Sequence, residues 1–244
     1  MSAGIALTQP KIPALAPHFV PELQNGDRLS RLEFERRYTA MPTNCRAELI
    51  EGVVYMSSPV RIDRHAEPHG LLQMLLSVFA ARTPGMRLAD NGTVRLDPDN
   101  EPQPDIALRI DDRCGGQAKL AGGYLSGAPE LVAEISSSSV SYDLGPKLDA
   151  YLRNGVREYL VWRVEDDALD WFVRRANRYE QLPVGADGLI RSEVFPGLRL
   201  DPRPILAMDA GAALDVVQAG IGSPEHQTFI AQLAAAKSKP EDRR

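Results

Sequence analysis

Cysteine is nearly absent from this chain: 244 residues hold two, Cys45 and Cys114, with no C-x-x-C pair and no Cys or His companion beside either. That excludes a zinc ribbon and a disulfide framework and suits a reducing compartment, so the expectation is a cytoplasmic protein. No apolar run approaches the roughly 20 residues that span a bilayer, and the opening "MSAGIALTQPKIPALAP" lacks the basic start and continuous apolar core of an export signal. No membrane partner is expected. A basic excess is missing too: 28 Lys and Arg face 33 Asp and Glu, a net charge of −5. Nothing global attracts a phosphate backbone, and a nucleic-acid partner has to be met by a local basic face.

Several common catalytic signatures are also lacking. "GGQAKLAGG" has glycines without the Lys-Ser/Thr pair of a P-loop, and reads as a flexible loop. "SSSS" from Ser136 has no G-x-S-x-G elbow around it and reads as a polar loop ahead of a helix. "HAEPH" puts His65 and His69 at i, i+4, but the glutamate is third and Pro68 interrupts the turn, so a helix-start histidine pair is expected in place of a zinc motif.

What is present is enough apolar material, 43% of residues, for one sizeable core. The organisation read from pattern is an Ala/Pro-rich mobile leader over 1–27, one domain over 28–210, and a helical extension with a charged tail over 211–244. Ser30 with Glu33 has the capping-box spacing and predicts a helix from about Arg31. Glu51-Gly52 and Asn91-Gly92 each lie between strand-like runs and predict hairpins. Leu71, Leu72, Leu75, Leu76 and Phe79 recur at helical spacing after Pro68 and predict a core-packing helix. "QPDIALRI", "ELVAEIS", "REYLVW" and "ALDWFVRR" read as strands, and "DLGPKLDAYLRNG" as a helix capped by Asp143 and stopped at Gly155. The fold class implied is α/β (α+β), a mixed sheet covered by helices.

Chemistry concentrates in three residues. Glu134 lies inside the apolar run "LVAEI", where a carboxylate is costly unless a cation or donor meets it. Asp105 follows Pro104 at the start of another strand, and Lys147 lies in the first turn of the next helix, where the helix dipole opposes it. Two acids on neighbouring strands with a lysine reaching back form a site for a hard divalent cation, which takes carboxylate oxygens and keeps places for water and a phosphate oxygen. Phosphodiester hydrolysis uses that set. A buried ion-pair network without catalysis uses the same residues. "WFVRRANRYE" adds Arg174, Arg175 and Arg178 among aromatics, either a nucleic-acid contact or a charged sheet edge.

"QPDIAL", "GYLSGAPELVAEISSSS", "YDLGPKLDAYLRNGVREYLVW" and the upstream "AELIEGVVYMSSP" with its following His65 resemble, in order and surroundings, the Uma-type family of restriction endonucleases in the PD-(D/E)XK nuclease superfamily. The resemblance runs from about Leu29 to Pro204. It implies a restriction-endonuclease-like central mixed sheet flanked by helices, DNA as substrate, and Mg²⁺ (with Mn²⁺ as substitute) held by Asp105, Glu134 and the Ile135 carbonyl. It further implies Lys147 as the catalytic cation, Glu48 as an added acid acting through metal or water, and His65 near the substrate entrance. Ser136 stands where the superfamily's E-x-K pattern has lysine, and Lys147 is its natural replacement. Double-strand cutting would favour a homodimer with two sites. A non-catalytic nucleic-acid-binding or regulatory module on the same fold is the alternative.

Overall fold

The computed structural model describes residues 20–57 and 60–237; the leader up to residue 19 and the charged tail after Lys237 lie outside the described residues. Helix α1 (Arg31–Thr39) precedes a hairpin of β1 (Ala47–Ile50) and β2 (Val53–Met56). Its turn is the expected one, with Glu51 at φ 53° and Gly52 at φ 70°. A π-helical turn over Ile62–Ala66 leads into α2 (Glu67–Ala81), then β3 (Met86–Asp90), β4 (Val94–Arg95) and β5 (Ile106–Ile110). The stretch read as a flexible glycine loop contains a small hairpin, β6 (Lys119–Ala121) and β7 (Tyr124–Ser126), turning at Gly122-Gly123. Strand β8 (Leu131–Ser136) follows, then α3 (Val140–Tyr142), a π-helical turn over Asp143–Lys147 and α4 (Leu148–Asn154). Strands β9 (Glu158–Arg163), β10 (Ala168–Arg175) and β11 (Arg178–Gln181) come next. A short pair, β12 (Ile190–Arg191) and β13 (Arg199–Leu200), precedes α5 (Pro202–Leu206), α6 (Ala210–Ile221) and α7 (Pro224–Lys237).

The central sheet has the order β11-β10-β9-β8-β5-β3. It is mixed: β8 runs parallel to β9 and antiparallel to β5. A parallel neighbour requires a crossover, and α3 to α4 supply it. Alternation along β8 sends Leu131, Ala133 and Ile135 into the core with α2, where Leu71, Leu72, Leu75, Leu76 and Phe79 are buried as the periodicity predicts. Val132 packs on the opposite face with Tyr151, Tyr159 and Val161. Both faces are covered, so all six residues of β8 are buried, Glu134 and Ser136 among them.

Three local readings change. Asn91 does take the left-handed conformation, φ 51°, but β3 pairs with β5, and β4 joins β7 in a separate three-stranded sheet. The dipeptide marks a bend whose strands find long-range partners. Ser30 makes no side-chain cap; Glu33 is drawn instead to Arg36 and Arg37 at 2.7 Å. The residues of the final extension join the main core, with Ala213, Val217, Phe229 and Leu233 in the same cluster as α2. A fourth reading changes near the other end: within the stretch read as a mobile leader, Leu23 is buried with Phe34, Leu49 and Val54, and Gly26 and Asp27 bond the Val54 backbone of the hairpin.

Candidate functional site

The end of β8 brings the sequence-selected residues together. Glu134 points to the α4 side, where Lys147 Nζ donates to its Oε1 at 2.9 Å and Tyr151 OH donates to the same oxygen at 2.9 Å. Lys147 Nζ also lies 3.1 Å from Glu48 Oε2 and 3.8 Å from Asp143 Oδ1. Glu48 is fixed by the Gln103 amide, which donates to its Oε1 at 2.6 Å. Asp105, just ahead of β5, accepts from the Ile135 amide through Oδ2 at 2.7 Å, and its own amide lies 3.4 Å from Glu134 Oε2. Asp105, Glu134, Lys147 and Glu48 therefore form one cluster, with the Ile135 backbone at its edge.

Local structure explains how Lys147 gets there. Asp143 does not cap the helix. Its Oδ2 accepts from Ser139 Oγ at 2.6 Å and from Ser136 Oγ, and its carbonyl accepts from Tyr159 OH at 3.0 Å. These bonds seat the Asp143–Lys147 turn on the strand end. Gly145, at φ −120° and ψ −108°, and Pro146 break the helical path there, so Lys147 enters from the side. Ser136 thus fastens the segment that carries Lys147.

Three carboxylates, Glu48, Glu134 and Asp143, surround the single ammonium of Lys147, Asp105 stands beside Glu134, and all five side chains are largely or fully buried. Burial would discharge Lys147, but Glu134, Glu48 and Asp143 raise its pKa well above the ordinary lysine value. Burial raises Glu134 well above the carboxylate range; the attraction of Lys147 opposes this, and Asp105, Asp143 and Glu48 add to the rise. Glu48 is raised for the same first reason, burial. Asp105 goes the other way: burial works against its charge, yet His65, the Ile135 amide and Lys147 hold its carboxyl below the usual range.

His65 and His69 stand at the outer edge. His65 Nε2 lies 3.3 Å from Asp105 Oδ1, and its Nδ1 bonds the Ile135 carbonyl at 3.1 Å. Pairing with Asp105 raises the His65 pKa, with burial working against it. His69 Nε2 sits 3.2 Å from both the Asp105 carbonyl and Asp90 Oδ1. The two rings stack at 5.8 Å. Their contacts are with protein oxygens.

The donor set suits a hard cation: two adjacent carboxylates and a backbone carbonyl, all oxygen. Among the described residues no group of three or more His, Cys, Asp or Glu is arranged to hold a metal ion. A cation here would rest on Asp105, Glu134 and the Ile135 carbonyl, with water completing its shell, which is how Mg²⁺ is held.

Sequence reasoning missed Asp143 as a partner of Lys147, Tyr151 as a donor to Glu134, and Ser136 as a clasp. Lys147 and Tyr151 are spaced i, i+4 along the regular helix, the signal that would have put them on one face, whereas Asp143 lies across the Gly145–Pro146 break. Other singled-out arginines are held internally: Arg174 by the Leu152 carbonyl, Arg175 by Glu193, and Arg178 by Glu180. Among the described residues no helix is long and apolar enough to cross a membrane.

Comparison with known proteins bears on the family and the fold. The model of the Uma2 family, described as "Putative restriction endonuclease", matches residues 32–203. Among solved structures, the crystal structure of "a putative nuclease belonging to DUF820" from Anabaena variabilis ATCC 29413 superposes with a TM-score of 0.56 at 16% identity, covering 70% of this chain and 96% of that one. At that identity the likeness is one of fold. No curated protein matches the chain.

Proposed function

Because the chain belongs to the Uma2 family and has a restriction-endonuclease-like fold, we propose that it is a Mg²⁺-dependent endonuclease that hydrolyses DNA phosphodiester bonds. The observation that carries this reading is the crowding of Glu48, Glu134 and Asp143 around one lysine, with Asp105 beside Glu134, more acidic groups than Lys147 alone can offset. A divalent cation would replace the proton that burial favours on Glu134. Asp105, Glu134 and the Ile135 carbonyl would hold it. When bound, such an ion acidifies a water and offsets charge on the attacked phosphate.

The protein's own residues divide the remaining work. Lys147, kept charged by its three acidic neighbours, supplies a fixed positive charge beside Glu134, where the developing phosphorane charge needs it. Glu48, locked by the Gln103 amide, faces Lys147 and orients it. Tyr151 and the Ser136–Asp143 clasp keep the carboxylate and the lysine from drifting, so the charges are organised before substrate arrives.

One observation favours the alternative, a binding or regulatory module that keeps the fold without turnover. Arginines neighbouring the site are paired with acids: Arg64 with Glu165, Arg163 with Asp170, and Arg153 with Glu51. A nuclease meets DNA with basic walls. The test is incubation of supercoiled plasmid with the purified chain in Mg²⁺ or Mn²⁺, beside Asp105→Ala and Glu134→Ala. Nicking or linearisation lost in both variants supports the nuclease. Plasmid retardation without cleavage, unchanged in the variants, would replace it with the binding module.

A further inference from the structure

Two of the three groups read as cation ligands already share a partner. The Ile135 carbonyl bonds His65 Nδ1 at 3.1 Å, and Asp105 Oδ1 lies 3.3 Å from His65 Nε2. One imidazole thus spans both oxygens. Carbonyl and carboxylate oxygens only accept, so both ring nitrogens carry their hydrogens toward them and neither has a lone pair to offer a metal. A magnesium ion would need these same oxygens at about 2.1 Å, so ring and cation compete for one set of lone pairs.

The surroundings hold the ring in place yet leave it a way out. Stacking on His69 braces it, and His69 is itself anchored to the Asp105 carbonyl and Asp90. The turn that carries His65, Ile62–Ala66, has no buried residue, so the ring has an open side. The opposite oxygen of Asp105 is fixed by the Ile135 amide at 2.7 Å and stays put if the ring leaves.

We propose that His65 guards the cation notch: it occupies Asp105 Oδ1 and the Ile135 carbonyl in the unloaded protein, swings aside when a divalent cation enters, and thereby holds cation affinity down without being a ligand. This rests on the reading of Asp105 and Ile135 as cation ligands. It makes His65 a positioning residue, one that holds the two oxygens and sets the threshold for cation binding.

The experiment is calorimetric titration of Mn²⁺ alone into the full chain, its His65→Ala and His65→Gln variants, and Asp105→Ala. Thermal melting of each is followed with and without Mn²⁺. The expected result is binding about tenfold tighter in His65→Ala than in the parent, from loss of the competing hydrogen bonds, with His65→Gln between them because it keeps one donor. Without metal His65→Ala melts below the parent, and saturating Mn²⁺ narrows the gap, which a merely structural contact would not do. Weaker binding in His65→Ala would make the histidine a ligand and overturn the proposal. Unchanged binding, or equal tightening in both variants, would overturn it as well. Failure of the folded parent and both His65 variants to bind any Mn²⁺ would remove the metal reading itself, and the guard with it.

Discussion

Lys147 Nζ sits 2.9 Å from Glu134 Oε1, both side chains about 5% exposed, across the 13 residues that separate the strand from the helical turn. Removing one member of such a pair leaves an uncompensated buried charge or forces a proton onto it. Lys147→Met should therefore destabilise the metal-free protein by about 3–5 kcal/mol in urea unfolding at neutral pH. Adding Glu134→Gln to Lys147→Met should recover part of that loss. A double variant as unstable as the sum of the two singles would show that the contact carries no coupling.

The serine clasp is open to a stability test of its own. Ser136→Ala deletes the buried hydroxyl that donates to Asp143 and should cost about 1–3 kcal/mol. Ser139→Ala should cost less, because Ser139 is partly exposed and water can replace it. Equal midpoints for parent and Ser136→Ala in guanidinium unfolding would remove the clasp from the account of how Lys147 is delivered.

If the proposed activity holds, Asp105→Asn should lower metal-dependent plasmid cleavage by about 10²-fold or more, since it removes a charged ligand in a largely dry site. Its Ile135 amide contact can survive through the remaining carbonyl oxygen, so circular dichroism should stay native. Residual cleavage within a fewfold of the parent would remove Asp105 from the active centre.

Glu158 provides a pH prediction away from this site. It is fully buried beside Ser192, the Glu193 and Val194 amides and the Trp171 indole. Burial raises its pKa from 4.5 to about 7, with those donors working against the rise. The folded state therefore keeps a proton that the unfolded chain releases. Stability from this group is complete below about pH 4.5 and is lost as pH climbs through 7. Glu158→Gln should flatten this part of the stability curve, removing a slope that approaches 1.4 kcal/mol per pH unit, about one proton's worth. Parallel curves for parent and variant between pH 4.5 and 7 would show that Glu158 is ionised throughout.

Local rules were readable residue by residue. The spacing of Leu71 to Phe79 was enough for α2, because a helix that buries one face repeats its apolar positions whatever it packs on. Glu51-Gly52 was enough for a turn, since Gly52 takes the positive φ that a tight hairpin needs at no steric cost. Glu134 stands out for an energetic reason: a carboxylate in a buried strand needs a partner, and with Asp105 and Lys147 it outlines most of the cluster from the sequence alone.

Other features depended on distance in the chain. Asn91-Gly92 had the same local form as Glu51-Gly52, yet β3 chose β5, because strand pairing is settled by which faces are buried together. Leu23 carries no periodic mark of the core it joins, and His65 meets the Ile135 carbonyl across 70 residues. The sequence by itself determined the elements and the costly charges, since propensity, periodicity and desolvation act within a few residues. Only the tertiary structure decided that Ser136 holds Asp143, that Tyr151 shares Glu134 with Lys147, and that His65 covers Asp105, because those bonds exist only once the strand, the turn and the helix have packed.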